Sequence, residues 1–183
     1  MSQKFFINSL VAVVAIFGFF YWFSTREDKV ENKVNSPMTI TSPAFKDGES
    51  IPDIYTCDGS NINPPLEFTN VPVEAKSLAL VVNDPDAPSG NWVHWAVWNI
   101  PPTSVGLHAG EKIAGAVEGL TSFGRNGYGG PCPSVGEHRY VFKLYALNTT
   151  LRLQSVYGIK LEKTIESQVI ESAVLEGKYQ RAQ

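Results

Sequence analysis

Three apolar runs, bounded by prolines and glycines, predict β-strands in the region that follows residue 37. Residues 77–83 and 92–100 are apolar on both faces, which is typical of strands at the centre of a sheet. Residues 138–147 alternate instead, so that His138, Tyr140 and Phe142 share one face. The pattern therefore predicts a mainly β, antiparallel domain.

A second periodicity, of three to four residues, begins near residue 160 and predicts one amphipathic helix. Its apolar positions are Leu161, Ile165, Val169 and Ala173, with Ile170 and Val174 beside them. Charged residues occupy the opposite side, and Gly177 is typical of a helix end. We expect this C-terminal helix to pack on the sheet.

The N-terminal region is different, because residues 5–23 carry no charge and are almost wholly apolar. As a helix this run would reach about 28 Å, close to the hydrocarbon thickness of a bilayer. Tyr21 and Trp22 near its end suit a membrane interface, and no small-residue cleavage site follows. We therefore expect an uncleaved signal anchor and transmembrane helix over residues 1–24, a polar tether over 25–37, and a folded domain over 38–183.

The side of the membrane is less well specified by the sequence. Lys4 precedes the apolar run, whereas Arg26, Lys29 and Lys33 follow it, so the positive-inside rule does not decide the orientation. The position of the anchor so near the N-terminus favours a single-pass protein with its domain on the extracytoplasmic side.

Composition narrows the classes of function. A chain of 183 residues that is 43% hydrophobic can bury one core, and its net charge of -3 with no basic stripe argues against a nucleic-acid partner. The two cysteines, Cys57 and Cys132, lack the spacing of a zinc site. They could form one disulfide in an oxidising compartment or remain as two thiols, and the sequence leaves both readings open.

Polar residues with chemical potential cluster at strand ends. Asp84 and Asp86 stand in a proline-stiffened loop directly after the first buried strand, but the loop does not fit a calcium-binding EF-hand. His94 lies within an aromatic strand, where a core role is the plain alternative. His138 and Tyr140 lie about 7 Å apart on one strand face, so both can reach a single pocket.

Four runs in this order resemble the phosphatidylethanolamine-binding protein family, in particular its bacterial and archaeal branch of Raf kinase inhibitor-like proteins. They are DPDAP, WVHWAVWNIP, FGRNGYGGPCP and GEHRYVFKLYAL, and YTCDGSNINPPLEF around Cys57 also resembles that branch. The resemblance implies a β-sandwich-like fold with Greek-key connections and a small pocket for phosphate-like groups. The pocket residues that it implies are Asp84, Asp86, Pro88, His94, Gly130, Pro131, His138 and Tyr140. It also implies a cis bond between Ala87 and Pro88, while Ser134 departs from the usual proline of the branch.

The resemblance and the residue types together predict how such a pocket would work. An aspartate beside His94 or His138 would fix the ring tautomer and stabilise an imidazolium that donates to phosphate. Amides of the glycine loop and the Tyr140 hydroxyl would add donors. Alternatively, a zwitterionic phosphoethanolamine head would offer its ammonium group to a carboxylate.

We therefore expect a membrane-anchored binding module for small phosphorylated or anionic ligands, such as lipid head groups. The alternative is an interaction module whose pocket rim inhibits a kinase or a protease. Ser134, His138 and Asp84 supply the residue types of a nucleophilic triad, but no nucleophile elbow is present. We expect no catalysis, no metal and no cofactor.

Overall fold

The computed structural model describes residues 36–153 and 156–182. The predicted membrane anchor over residues 1–24, and all of the predicted tether except residues 36 and 37, lie outside the described residues. Among the residues that are described, no helix has the length and apolar character needed to cross a bilayer.

Eight strands and one α-helix form the described domain. The strands are β1 (Thr39–Thr41), β2 (Leu66–Thr69), β3 (Ser77–Asp84), β4 (Trp92–Ile100), β5 (Gly106–Leu107), β6 (Val117–Glu118), β7 (Glu137–Leu147) and β8 (Val169–Gln180), and the helix α1 (Gly158–Ile165) precedes β8. Short 3-10 turns occupy Asp53–Tyr55 and Glu166–Gln168. The predicted mainly β, antiparallel fold is confirmed.

The strands form two antiparallel sheets. The larger has the order β6-β4-β3-β7-β8 and the smaller β1-β2-β5. Between them lies the main core, to which Ile40 and Phe68 of the small sheet and Leu80 and Phe142 of the large sheet contribute. On the outer face of the large sheet, α1 buries Leu161 in a second apolar cluster. β3 is therefore covered on both sides, and all of its residues are buried.

The predicted strands agree closely with the structure, but the predicted helix is only half right. The helix ends at Ile165, and residues that were expected to continue it form β8, which pairs with β7 over its length. Val169 and Ala173 satisfy a helical period, yet Ala173, Leu175 and Tyr179 also fit a period of two and face the core. Pairing with the otherwise open edge of β7 overrides the local helical pattern.

Gly177 lies within β8 instead of ending a helix, so that expectation is wrong as well. A Cβ atom at this position would come within 2.5 Å of the Ile51 side chain and 2.8 Å of the Phe45 ring. The glycine is thus required by the close packing of the 45–51 segment on the strand, and not by a change of chain direction.

The expected cis bond before Pro88 is also wrong, because all described peptide bonds are trans. The Gly90 amide donates to the Ala87 carbonyl at 2.9 Å, which places Pro88 at the second position of a β-turn. The fixed φ of a trans proline suits that position directly. The cysteine alternatives are resolved, since Cys57 and Cys132 form a disulfide with Cα atoms 5.4 Å apart.

Candidate functional site

A cavity of about 270 Å³ opens where the end of β3 meets the starts of β4 and β7. Five residues that the sequence singled out line it, namely Asp84, Pro88, His94, His138 and Tyr140. β-Sheet register explains this grouping: Asp84 pairs with Trp92 of β4, and its neighbour Asn83 pairs with Val141 of β7. Residues far apart in sequence therefore meet at one edge of the sheet.

A β-bulge aims His94 at the cavity. Trp95 pairs with Val82 and Val93 pairs with Asn83, so that His94 has no partner on β3. A bulge of this kind turns an additional side chain toward one face of a sheet. As a result the His94 ring contacts the Tyr140 ring edge-to-face, with centroids 5.1 Å apart.

Asp84 and His138 form a buried pair on the floor of the cavity. The His138 Nδ1 atom donates to Asp84 Oδ2 at 2.7 Å, and the Asp86 amide donates to Asp84 Oδ1 at 2.8 Å. Both side chains of the pair are almost fully buried. The carboxylate holds the imidazole with its proton on Nδ1, which leaves Nε2 for another partner.

His94 has the same tautomer for a different reason. Its Nδ1 atom lies 2.7 Å from the Gly129 carbonyl oxygen, which can only accept, so Nδ1 is the donor. Burial lowers the pKa of His94, and the Gly129 carbonyl and the Asp84 carboxylate act in the opposite direction. The ring is therefore neutral near pH 7, and its Nε2 atom can accept a hydrogen bond or take up a proton.

Tyr140 contributes a donor without a partner. Its side chain is buried, and its hydroxyl makes no hydrogen bond among the described residues. Burial raises its pKa, and the Asp84 carboxylate raises it further. The Cys132 amide lies near enough to act against this shift but makes no hydrogen bond with the hydroxyl. A neutral, unpaired hydroxyl on a side chain that lines a cavity can donate to a ligand oxygen.

Asp86, Gly130 and Pro131 were predicted for the site, but they do not line the cavity. Asp86 instead accepts two hydrogen bonds from the Arg139 guanidinium, at 2.8 and 2.7 Å. That side-chain contact lowers the pKa of Asp86 to about 2. The carboxylate is thus engaged outside the pocket.

Two amides of the glycine loop, which were expected to bind an anion, already donate hydrogen bonds within the protein. The Gly129 amide donates to the His94 carbonyl at 2.9 Å, and the Gly130 amide donates to Asn61 Oδ1 at 2.7 Å. A Cβ atom at Gly130 would lie 2.5 Å from the Tyr55 carbonyl. Gly130 therefore allows two loops to pack closely, and its role is structural.

Residues that the sequence analysis had not assigned to the site complete the cavity. They include Trp92, Phe123, Cys132 and Pro133. Ser134, noted in the sequence as a departure from the family pattern and as the serine of a possible triad, also lines the cavity. Trp92 and Phe123 contact each other edge-to-face at 5.4 Å, and Phe123 also meets the His94 ring. The position of Trp92 two residues before His94 was a usable signal, whereas Phe123 comes from a loop whose course no local pattern predicts.

Within the described part of the chain, no cluster of three or more His, Cys, Asp or Glu side chains is arranged as a metal site. The cavity has a polar floor, formed by the buried side chains of Asp84, His94, His138 and Tyr140, and a more exposed, mainly apolar rim that includes Trp92, Phe123 and Ser134. Such a floor can hold a small anion through its donors, and the carboxylate can neutralise an attached cation.

Comparison with known proteins gives a consistent result. The sequence profile described as phosphatidylethanolamine-binding protein matches residues 41–180. A UPF0098 protein of Methanothermobacter thermautotrophicus is 49% identical over 152 residues, which cover 79% of this chain and 99% of that protein. A UPF0098 protein of Chlamydia pneumoniae is 44% identical over 151 residues, covering 79% of this chain and all of that protein.

Two solved structures are similar as well. The phosphatidylethanolamine-binding protein homolog CT736 from Chlamydia trachomatis has a TM-score of 0.76 and 42% identity, and the match covers 80% of this chain and 99% of that one. YbcL of E. coli, described as a member of the mammalian PEBP family, has a TM-score of 0.75 and 32% identity, with 80% and 100% coverage.

Proposed function

Because the chain belongs to the phosphatidylethanolamine-binding protein family, we propose that its cavity binds a phosphate-type or phosphoethanolamine head group. The observation that carries the proposal is Tyr140, a residue that lines the same cavity as His94 and His138 and whose buried hydroxyl has no hydrogen-bond partner among the described residues. A phosphate oxygen would satisfy this donor, and a buried donor left unsatisfied costs about 1–3 kcal/mol.

Electrostatics support a small anion in spite of the aspartate. Asp84 is already engaged by His138 and by the Asp86 amide, so much of its charge is compensated. His94 is held neutral by burial, which lowers its pKa, and an anion beside Nε2 would favour the protonated ring. Binding would then take up a proton, and affinity would rise as the pH falls below 7.

Calorimetric titration with inorganic phosphate and with phosphoethanolamine tests the proposal. Replacing Tyr140 by phenylalanine removes one donor and keeps the ring, so affinity should fall by about 10–150-fold, as expected for a hydrogen bond to a charged group. The matched control is Tyr145→Phe, since Tyr145 bonds Glu162 and does not line the cavity. Unchanged affinity in Tyr140→Phe, or an equal loss in both variants, would contradict the assignment.

We further propose that residues 1–24 anchor the protein in a membrane as a single span, with the domain on the extracytoplasmic side. The apolar run supports the anchor, and the Cys57–Cys132 disulfide supports an oxidising compartment. Protease added to spheroplasts, in which the outer layers are removed and the cytoplasmic membrane is intact, should then remove the domain, and alkaline carbonate should not extract the full chain. A domain protected from protease until the cells are lysed would overturn the orientation.

One observation favours the second candidate function, inhibition of a kinase or protease through the pocket rim. Phe123, at the rim, and Val135, beside the rim residue Ser134, are 39% and 79% exposed, although both are large and apolar. On this hypothesis Val135→Asp would abolish inhibition of the partner enzyme and leave phosphate affinity unchanged. Loss of phosphate affinity in the same variant would favour the binding module alone.

We propose that binding occurs without turnover. The Asp84–His138 pair has the orientation of a triad base, and Ser134 lines the same cavity. Hydrolysis of an activated ester should nevertheless be no faster with the protein than with its Ser134→Ala variant. A difference between the two would establish an enzyme.

A further inference from the structure

The wall of the cavity contains a disulfide. Cys132 lines the cavity and is exposed, whereas its partner Cys57 is half-buried. A thiolate reaches an exposed disulfide sulfur more readily than a buried one, and exposed disulfides are the ones that exchange. Of the two cysteines, Cys132 is therefore the one that a molecule in the cavity would meet.

The segments that carry the two cysteines are held together without the disulfide. The Cys57 amide donates to the Pro131 carbonyl at 3.0 Å, and the Gly130 amide donates to Asn61 Oδ1 at 2.7 Å. The Tyr128 hydroxyl donates to the carbonyl of Tyr55 at 3.0 Å. These bonds would keep the two sulfurs near each other after the disulfide opens, so that it can reform.

The cavity also brings a charge-binding floor close to that sulfur. With a volume of about 270 Å³, it accommodates only a small molecule, and its walls include Tyr140, His138 and Cys132, so an occupant bound by the first two is confined near the third. A thiol held in this way reacts as if it were present at high local concentration. A thiol that the floor does not bind has no such increase in local concentration, so its reaction should not be accelerated.

From this geometry we propose that the Cys57–Cys132 disulfide is an exchange site for small thiols that carry a phosphate-type group, bound in the cavity and reacting at Cys132. The inference rests on the proposed function, because the anionic group must bind to the floor. The site would couple occupation of the cavity to the redox state of its wall.

The exchange step is balanced and needs no further reagent. The ligand thiol loses its proton to solvent, and its sulfur attacks Cys132 Sγ to form a mixed disulfide. The bond between Cys132 and Cys57 breaks, and Cys57 leaves as a thiolate that takes up a proton. Cys57 reverses the step by attacking Cys132 Sγ and releasing the ligand thiol, whereas a second ligand thiol that attacks the ligand sulfur releases Cys132 as a thiol and forms the ligand disulfide.

The test compares 2-mercaptoethyl phosphate with 2-mercaptoethanol and with cysteamine, using the full-length chain in non-ionic detergent. Each rate of disulfide opening is divided by the rate of the same thiol with 2-hydroxyethyl disulfide, which removes differences in intrinsic reactivity. The phosphate thiol should show saturation and a normalised rate at least about tenfold above the other two, the lower end of the gain expected from electrostatic concentration. Inorganic phosphate should slow this thiol alone.

Mass spectrometry after alkylation identifies the sulfur. The added thiol should be on Cys132 and the alkyl group on Cys57, and the reverse labelling would overturn the proposal. Tyr140→Phe should reduce the preference for the phosphate thiol, whereas the control Tyr145→Phe should retain it.

The failure of this inference can be distinguished from failure of the proposed function. Equal normalised rates that rise linearly with each thiol, together with phosphate binding by calorimetry, would overturn the exchange site alone. The same rates without any phosphate binding would overturn both.

Discussion

Removing the Cys57–Cys132 disulfide should lower the free energy of unfolding substantially while the fold is kept. The two residues are separated by 75 positions, and chain-entropy reasoning for a closed loop of that size gives about 4.5 kcal/mol. This is an upper value, because a compact unfolded chain already has part of that constraint. The hydrogen bonds between the two loops do not depend on the sulfurs, so the folded state should retain its shape.

The double variant Cys57→Ser, Cys132→Ser should be compared with the wild type by urea denaturation. We expect a lower midpoint in the variant and a larger m-value, since its unfolded chain exposes more surface without the cross-link. Wild-type protein that has been reduced and alkylated should match the variant. A loss below about 1 kcal/mol with an unchanged m-value would refute the loop-closure reasoning.

Three further predictions test the site and the packing. Asp84→Asn should weaken phosphoethanolamine more than inorganic phosphate in calorimetric titration if the head group binds as a zwitterion, and equal losses would exclude that mode. Gly177→Ala should lower the free energy of unfolding by about 1–3 kcal/mol, because its Cβ would meet Ile51 at 2.5 Å; a neutral result in urea denaturation would contradict the close packing. The free energy of unfolding should also decrease in two stages as the pH is lowered. Burial lowers the pKa of His94, so the unfolded state binds the proton first and stability is lost below about pH 6.5. The ion pair of Asp86 lowers its pKa to about 2, so the stability that this carboxylate contributes is lost below about pH 4. Urea denaturation of Asp86→Asn at several pH values should show the first stage but not the second. A second stage that persists in this variant would contradict the assignment to Asp86.

The central strands were predictable because the spacing of apolar residues in the sequence matches the faces that are buried. β3 is apolar on both faces since one sheet and one helix cover it, and β7 alternates because only one of its faces meets the main core. The helix boundary was not predictable in the same way. Val169 and Ala173 are compatible with both the helical period and the strand period of two. The segment forms a strand because β7 is available to pair with it.

The site shows the same division between local and distant information. The structure brings Asp84, His94, His138 and Tyr140 together around one cavity, as the sequence predicted, because the strand ends that carry them meet there. Asp86 does not line the cavity, and the sequence did not indicate this because its partner, Arg139, lies 53 residues away and no local pattern pairs the two.

Gly130 also lies outside the lining of the cavity, for a related reason. A glycine-rich run fits both an anion-binding loop and a tight contact between loops, and the sequence does not show which neighbour approaches. The Tyr55 carbonyl and Asn61 decide the matter in the structure.

The most direct test of the account is an NMR titration of the protein with phosphoethanolamine and with inorganic phosphate, in which the ring signals of His94 and His138 are followed. The account predicts saturable shifts in both rings, with His94 moving toward the protonated form as the anion binds. No shift in either ring up to millimolar ligand would contradict an anion site in this cavity and would favour a protein partner at its rim.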